Sequence, residues 1–329
     1  MLNALKLRGI QGDTAVFMVN DFIEAELDGH STHGLSKFLL LDAALEKKEG
    51  DFTLIRATGN YAQVDGHKDL GYVAGVYCVD KAIELAAIHG NSIVSLKNAS
   101  RYSRIKPFAR RIAESGYVGI ILNNGGPAAV APFGGTTPIF GTNPVCFSFP
   151  SGSGEPYLFD FSTSKKVWGE IRQAILEKRS LPTDCFYDSD GKVTEDPNKA
   201  DAVMPFGESK GYALCFAIEI LTGAFSGCKM GRQVSDEYDL GFLFIALSPE
   251  MFGGLDSFKS AVDSLAEEVR TSRCVDGVSA VYVPGDKSRS AFRRGLDVGT
   301  LSIDEDILRR IHSMEKSLSG GIESSNRLN

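Results

Sequence analysis

The sequence predicts an α/β protein of two domains or one large unit, and three observations carry that prediction. Its 329 residues exceed what a single hydrophobic core usually serves. Apolar runs of helical and of strand periodicity alternate along the chain, in the strand, helix, strand order of a sheet with parallel members. Hydrophobic residues make up 43% and charged residues 23%, as in ordinary globular proteins, which excludes collagenous and disordered classes.

Apolar residues at helical spacing over 13–28 and 35–48, with a glycine-flanked break at 29–34, predict a helix pair. Strand-like runs at 53–57 and 61–65 precede a helix over 72–89 that stops at Gly90 and Asn91. Residues 92–97 read as a buried strand, 107–115 as a helix followed by Gly116, and 118–122 as the next strand. Residues 123–144 hold five glycines and four prolines, which permit neither a long helix nor a central strand. A loop this long and this apolar is expected to wall a site. Strands are expected at 145–149 and 157–161, a helix at 165–178, a turn at 188–191 and a polar segment up to residue 202. A helix over 207–225, a strand at 240–247, an amphipathic helix at 257–270, a strand at 279–283 and a helix at 304–316 complete the series. The tail, 317–329, is expected to fray.

Thirty-five Lys and Arg against 42 Asp and Glu leave a net charge of −7, which argues against nucleic-acid or anionic-membrane partners. No apolar run reaches the roughly 18 residues of a membrane span, and no secretory signal is visible, so a cytoplasmic location is expected. Six scattered cysteines without a CxxC pair read as reduced core residues. Neither GxGxxG nor GxxxxGK[ST] occurs, which argues against a Rossmann or P-loop site. No metal site is expected: His30 and His33 lack a third ligand within reach, and residues 188–191 lack the further ligands of a calcium loop.

Three segments carry candidate chemistry. Gly207-Glu208-Ser209-Lys210-Gly211 satisfies the GxSxG pattern of serine hydrolases, with Ser209 as nucleophile, but Pro205 stands where a central strand would run. The preferred reading is a helix start that offers backbone N–H groups and the Lys210 ammonium to an anion. Ser31-Thr32-His33-Gly34 leads into a helix on which Lys37 follows His33 by four residues, placing an imidazole and a cation on one face, as a proton-shuttling histidine beside a substrate carboxylate requires. On spacing alone, a capping Thr32 with a solvated lysine is the preferred reading of the same residues. Residues 101–111 bring together Arg101, Arg104, Lys106, Arg110 and Arg111 after a strand. They read either as an anion-binding patch or as a solvated helix face, which explains Arg101 less easily.

These residues, with Val130-Ala131-Pro132-Phe133-Gly134-Gly135, Gly141-Thr142-Asn143-Pro144, residues 159–164, Ser235-Asp236-Glu237-Tyr238 and residues 283–286, resemble the type 2 malate/L-lactate dehydrogenase family in unbroken order along nearly the whole chain. The resemblance implies a non-Rossmann NAD(P)-binding fold with a helix-rich domain built from both chain ends. That domain would comprise residues 1–60 with 285–329 and serve as the interface of a homodimer, leaving 61–284 as the cofactor-binding domain. It also implies cofactor contacts at Asp160, Ser162, Thr163, Ser164, Ser209, Lys210, Gly285, Asp286 and Lys287, and His33 as acid or base. Glu170, in the following helix, favours NADH over NADPH by hydrogen-bonding a ribose hydroxyl.

The chain departs from the family pattern in three places. Arg101 occupies the position of a second histidine, and arginine does not donate a proton near neutral pH. Lys37 replaces a carboxylate-clamping arginine, and the N-terminal helix is shortened. The expectation is therefore a reductase that delivers hydride from NADH or NADPH to C2 of a small, anionic 2-oxo or 2-imino carboxylate in a specialised biosynthetic role. Lys37 and Arg101 bind substrate and His33 supplies the proton. The alternatives are a cofactor-binding homologue with lost or altered catalysis and a hydrolase using Ser209.

Overall fold

The computed structural model describes residues 1–316, so the tail at 317–329 lies outside the described residues. The chain opens with α1 (Leu2–Leu7), α2 (Gly12–Leu27), α3 (Leu35–Phe38) and α4 (Leu41–Lys47). It continues through β1 (Thr53–Thr58), β2 (Tyr61–Asp65), α5 (Gly71–His89), β3 (Asn91–Ala99), α6 (Lys106–Glu114), β4 (Val118–Asn123), β5 (Val145–Phe149) and β6 (Tyr157–Phe161). There follow α7 (Gly169–Glu177), β7 (Phe186–Asp188), β8 (Ala200–Val203), α8 (Glu208–Thr222), β9 (Leu240–Leu247), α9 (Leu255–Arg270), α10 (Asp286–Val298) and α11 (Glu305–Lys316). This is a mixed α/β architecture.

The chain divides into two compact units. The smaller comprises residues 1–47, 102–104 and the chain from Gly285 onward; the larger comprises 48–101 and 105–284. The sequence reading placed the first division after residue 60; in the structure β1 pairs with β2, which keeps residues 48–60 with the larger unit. In the smaller unit Arg104 is buried among carboxylates of α2 and its C-terminal turn. Its Nη2 lies 2.6 Å from Asp21 and 3.9 Å from Glu24, and its Nη1 lies 3.0 Å from Asp28.

The larger unit is a seven-stranded sheet in the order β1-β2-β3-β9-β4-β5-β6. Among the described strands of this sheet, β2 and β3 are the parallel pair, joined by the crossover α5, as the strand, helix, strand pattern requires. β9 lies between β3 and β4 and is antiparallel to both, so β3 and β4 run the same way without touching. The buried run of β9, from Leu240 through Phe244, explains its central place: both faces are covered, so alternation with polar residues is absent.

Several local expectations differ from the structure. Residues 279–283 form no strand; Val283 packs on Tyr157 and Ala266, so this apolar run buries side chains without joining the sheet. The helix expected from 165 begins at Gly169, because the Lys165 N–H is taken by the Met204 carbonyl at 2.8 Å. The polar segment before residue 202 contains the β7–β8 hairpin, α10 occupies a stretch given no element, and the helix expected over 35–48 is split into α3 and α4.

Candidate active site

The glycine- and proline-rich segment 123–144 is a wall built by backbone crossing. A Cβ on Gly141 would lie 2.7 Å from the Gly125 carbonyl carbon and from the Gly126 oxygen, so two strands of main chain meet where no side chain fits. Asn143, fully buried with φ +38°, secures the crossing: its Oδ1 accepts the Gly125 N–H at 2.9 Å and its Nδ2 donates to Glu219 at 2.7 Å. Glu219, buried in α8, accepts the Gly231 N–H through its other oxygen at 2.6 Å, so the carboxylate is hydrogen-bonded on both sides. Asn124 joins the wall to β9, its Oδ1 accepting the Gly241 N–H at 2.7 Å.

Two further motif segments meet this wall. Thr163 donates its N–H to the Thr142 carbonyl at 2.9 Å and its hydroxyl to the same oxygen at 3.0 Å. The Phe206 N–H reaches the Thr163 carbonyl at 3.0 Å, and Val130 pairs with both Phe140 and Val203. Residues 123–144, 159–164 and 203–211, far apart in sequence, thus form one constellation over the apolar cluster of Val130, Phe140, Phe186, Val203 and Cys215.

Gly207 (φ +57°) and Glu208 (φ +55°) turn the chain into α8, and a Cβ on Gly211 would lie 1.7 Å from the Phe206 carbonyl oxygen. Ser209 and Lys210 are exposed in the first turn. Among the described residues Lys210 makes no ion pair, and Ser209 makes no hydrogen bond to an imidazole. Ser209 also sits inside the helix with ordinary backbone, unlike the strained elbow of a serine hydrolase. Ser162 and Ser164 bring their hydroxyls within 3.2 Å of each other. Asp160, on the edge strand β6, accepts the N–H of Lys106 at 3.1 Å, at the start of α6. Glu170 is held 2.8 Å from Arg179.

Three cations of 101–111, Arg101, Arg104 and Arg111, take separate partners. Arg101 lies beside the wall: its Nη1 pairs with Glu237 at 2.9 Å and its Nη2 donates to the Gly125 carbonyl at 3.4 Å. Arg104 is structural, and Arg111 pairs with Asp80 at 2.7 Å.

In the smaller unit, His33 ends a 3-10 turn, Ser31–His33. Its Nδ1 lies 3.0 Å from the Thr32 hydroxyl and its carbonyl accepts from Ser103 Oγ at 2.5 Å. Lys37 stands on α3, which begins only after Gly34 (φ −90°, ψ −140°), so the two residues are not on one face of a continuous helix. The start of α3 is held by Glu26, which accepts the Leu35 N–H at 2.7 Å, while Thr32 engages the imidazole. Gly285, with φ +93°, precedes α10, whose first turn carries Asp286 and Lys287.

The malate/L-lactate dehydrogenase family model matches residues 1–312. The chain belongs to this family. Its relatives include the L-sulfolactate dehydrogenase of Methanocaldococcus jannaschii, 31% identical over 98% of this chain and 96% of that protein. The ureidoglycolate dehydrogenase (NAD(+)) of Escherichia coli is 28% identical over 90% of this chain and 89% of that protein. The (2R)-3-sulfolactate dehydrogenase (NADP(+)) of Chromohalobacter salexigens is 30% identical, with 88% of each covered. Among solved structures, the sulfolactate dehydrogenase from Methanocaldococcus jannaschii superposes with a TM-score of 0.87 at 30% identity, covering 97% of this chain and 94% of that one.

The family member described here is an NAD(P)-dependent oxidoreductase. Local sequence does not reveal the roles of Glu237, Asn143 and Glu219. Glu237 and Asn143 lie in quoted motifs, yet their partners are remote in sequence; Glu219 interrupts an apolar stretch of α8, where a buried carboxylate bonded on both sides stands.

Proposed function

We propose that this chain reduces a small 2-oxo or 2-imino carboxylate at C2 with NADH or NADPH, in a specialised biosynthetic role. The observation that carries the reading is the meeting of three motif segments around one wall in the larger unit, with the Lys210 ammonium making no ion pair among the described residues at the start of α8. That donor set fits a dinucleotide: first-turn N–H groups, the Ser209 hydroxyl and a lysine suit a pyrophosphate. Asp160, Ser162, Thr163, Ser164, Gly285, Asp286 and Lys287 complete the proposed cofactor contacts. The unit is read as a non-Rossmann cofactor fold, supported by the missing GxGxxG and by a sheet with one parallel pair.

The bound cofactor supplies the hydride. Lys37 and Arg101 bind the substrate, and His33 transfers the proton through Nε2, Thr32 being engaged with Nδ1. Replacing His33 with Ala is expected to abolish turnover while NAD(P)H still binds, measured by absorbance at the nicotinamide band and by fluorescence titration; full activity in His33→Ala overturns the assignment. In Arg101→His an unchanged KM would remove Arg101 from substrate binding. NADH is read as the preferred coenzyme, the Glu170 carboxylate accepting from a ribose hydroxyl beside its pairing with Arg179, and a higher kcat/KM with NADPH would refute that preference. The chain is further read as a cytoplasmic homodimer, to be tested for the dimer by sedimentation equilibrium. A second reading, a cofactor-binding homologue with altered catalysis, is favoured by the Arg101–Glu237 pair at the position of a proton-transferring histidine. It is supported if NAD(P)H binds and no 2-oxo acid or imine consumes it.

A further inference from the structure

Arg101 is not a bare cation. Its backbone N–H reaches the Glu237 carbonyl at 2.8 Å, and its guanidinium is paired with the carboxylate of the same residue at 2.9 Å. The two side chains keep 34% and 45% of their exposure, so the pair faces solvent beside the wall at Gly125 and Gly126. Among the described residues Glu237 Oε2 and Arg101 Nε make no hydrogen bond. The pair therefore presents an acceptor and a donor side by side with their charges mutually cancelled.

We propose that Glu237 makes the site selective for 2-oxo acids with a single negative charge, whose distal group is a neutral carboxamide or carbamoyl. This rests on the reading that Arg101 faces the substrate. A carboxamide satisfies both partners, its oxygen accepting from the guanidinium and its NH2 donating to Glu237. A second carboxylate or a sulfonate gains from Arg101 but meets Glu237 at like-charge distance, and a partly desolvated repulsion of that kind is worth roughly tenfold or more in affinity. Specificity then comes from the repulsive partner as much as from the attractive one.

The test compares oxaloacetate with its 4-carboxamide, a near-isosteric pair differing by one charge, in wild-type protein and in Glu237→Gln. Wild-type kcat/KM is expected to favour the carboxamide by roughly tenfold or more. Glu237→Gln is expected to shift that ratio toward oxaloacetate by about tenfold, mainly through KM. Equal use of the two acids by wild-type protein, a preference for oxaloacetate, or an unchanged ratio in a Glu237→Gln variant of normal melting temperature overturns the proposal. Pyruvate tells the two apart: turnover of pyruvate with inverted charge preference defeats only the selectivity, whereas no nicotinamide oxidation with any 2-oxo acid or imine defeats the dehydrogenase reading. In that second case calorimetric titration of malonate and malonamate onto the NADH-loaded chain still reads charge preference: tighter malonamate supports the role of Glu237, and equal or tighter malonate overturns it.

Discussion

Lys210 stands exposed in the first turn of α8 with no ion pair among the described residues, and the backbone before it is bent by two consecutive positions of positive φ. A lysine that serves only solubility has no need of such a turn. Lys210→Ala is expected to weaken NAD(P)H binding by about tenfold, the value of one charge-assisted contact, while leaving the melting temperature unchanged. A dissociation constant equal to that of the wild type would remove Lys210 from the cofactor set. Gly141 shows the opposite kind of constraint. Its Cβ would meet main-chain atoms at 2.7 Å on the opposing segment, which cannot move as a flexible side chain does. Gly141→Ala should destabilise the protein by about 1 to 3 kcal/mol in denaturant melts. The glycine content of this loop was legible in composition; which glycine touches which was not.

At the scale of elements, the ends of β2 and β3 are tied by Asp65. Burial alone would raise its carboxyl, but the His67 N–H at 3.1 Å, the Asn98 amide at 3.1 Å and the Lys97 ammonium at 3.2 Å override this and hold it below the ordinary carboxylate range. A depressed carboxyl contributes stability above its unfolded pKa and loses it as the pH falls through the folded one. Denaturant melts across the acid range should therefore show stability declining on acidification, and Asp65→Asn should flatten that limb while lowering stability at neutral pH. An unaltered slope in Asp65→Asn would assign the acid limb to other groups. Asn98, with φ +52°, lies three residues before Arg101 in the same tie, so the strained end of β3 helps to set where the guanidinium emerges. Local sequence does not reveal the turn at 66–69, where the Asp69 N–H reaches the Gly66 carbonyl at 2.7 Å and the Lys68 N–H reaches the Asn98 carbonyl at 2.7 Å.

For the molecule as a whole, the smaller unit is assembled from both chain ends and the short piece 102–104, and Arg104 is what that piece contributes. Three carboxylates surround one guanidinium, all of them buried. Removing the cation leaves charges without compensation, so Arg104→Ala should cost about 3 to 5 kcal/mol. Hydrogen exchange should then accelerate in α2, while β3 and β9 keep their protection. Equal acceleration across both units would show that they unfold as one. From the sequence Arg104 looked like one more member of a basic run; burial separated it from Arg101, its neighbour by three positions, and gave the two residues unrelated tasks.

The bounds of β5, β6 and β9 and the loop character of residues 123–144 were determined by the sequence alone, because apolar runs, glycine content and turn chemistry act between residues close along the chain. Tertiary structure alone decided that β9 lies between β3 and β4, that Glu237 neutralises Arg101, and that Asn143 and Glu219 brace the wall. These are pairings between distant segments, selected by what each buried polar group or strand edge must find to replace water, and no local pattern encodes the partner.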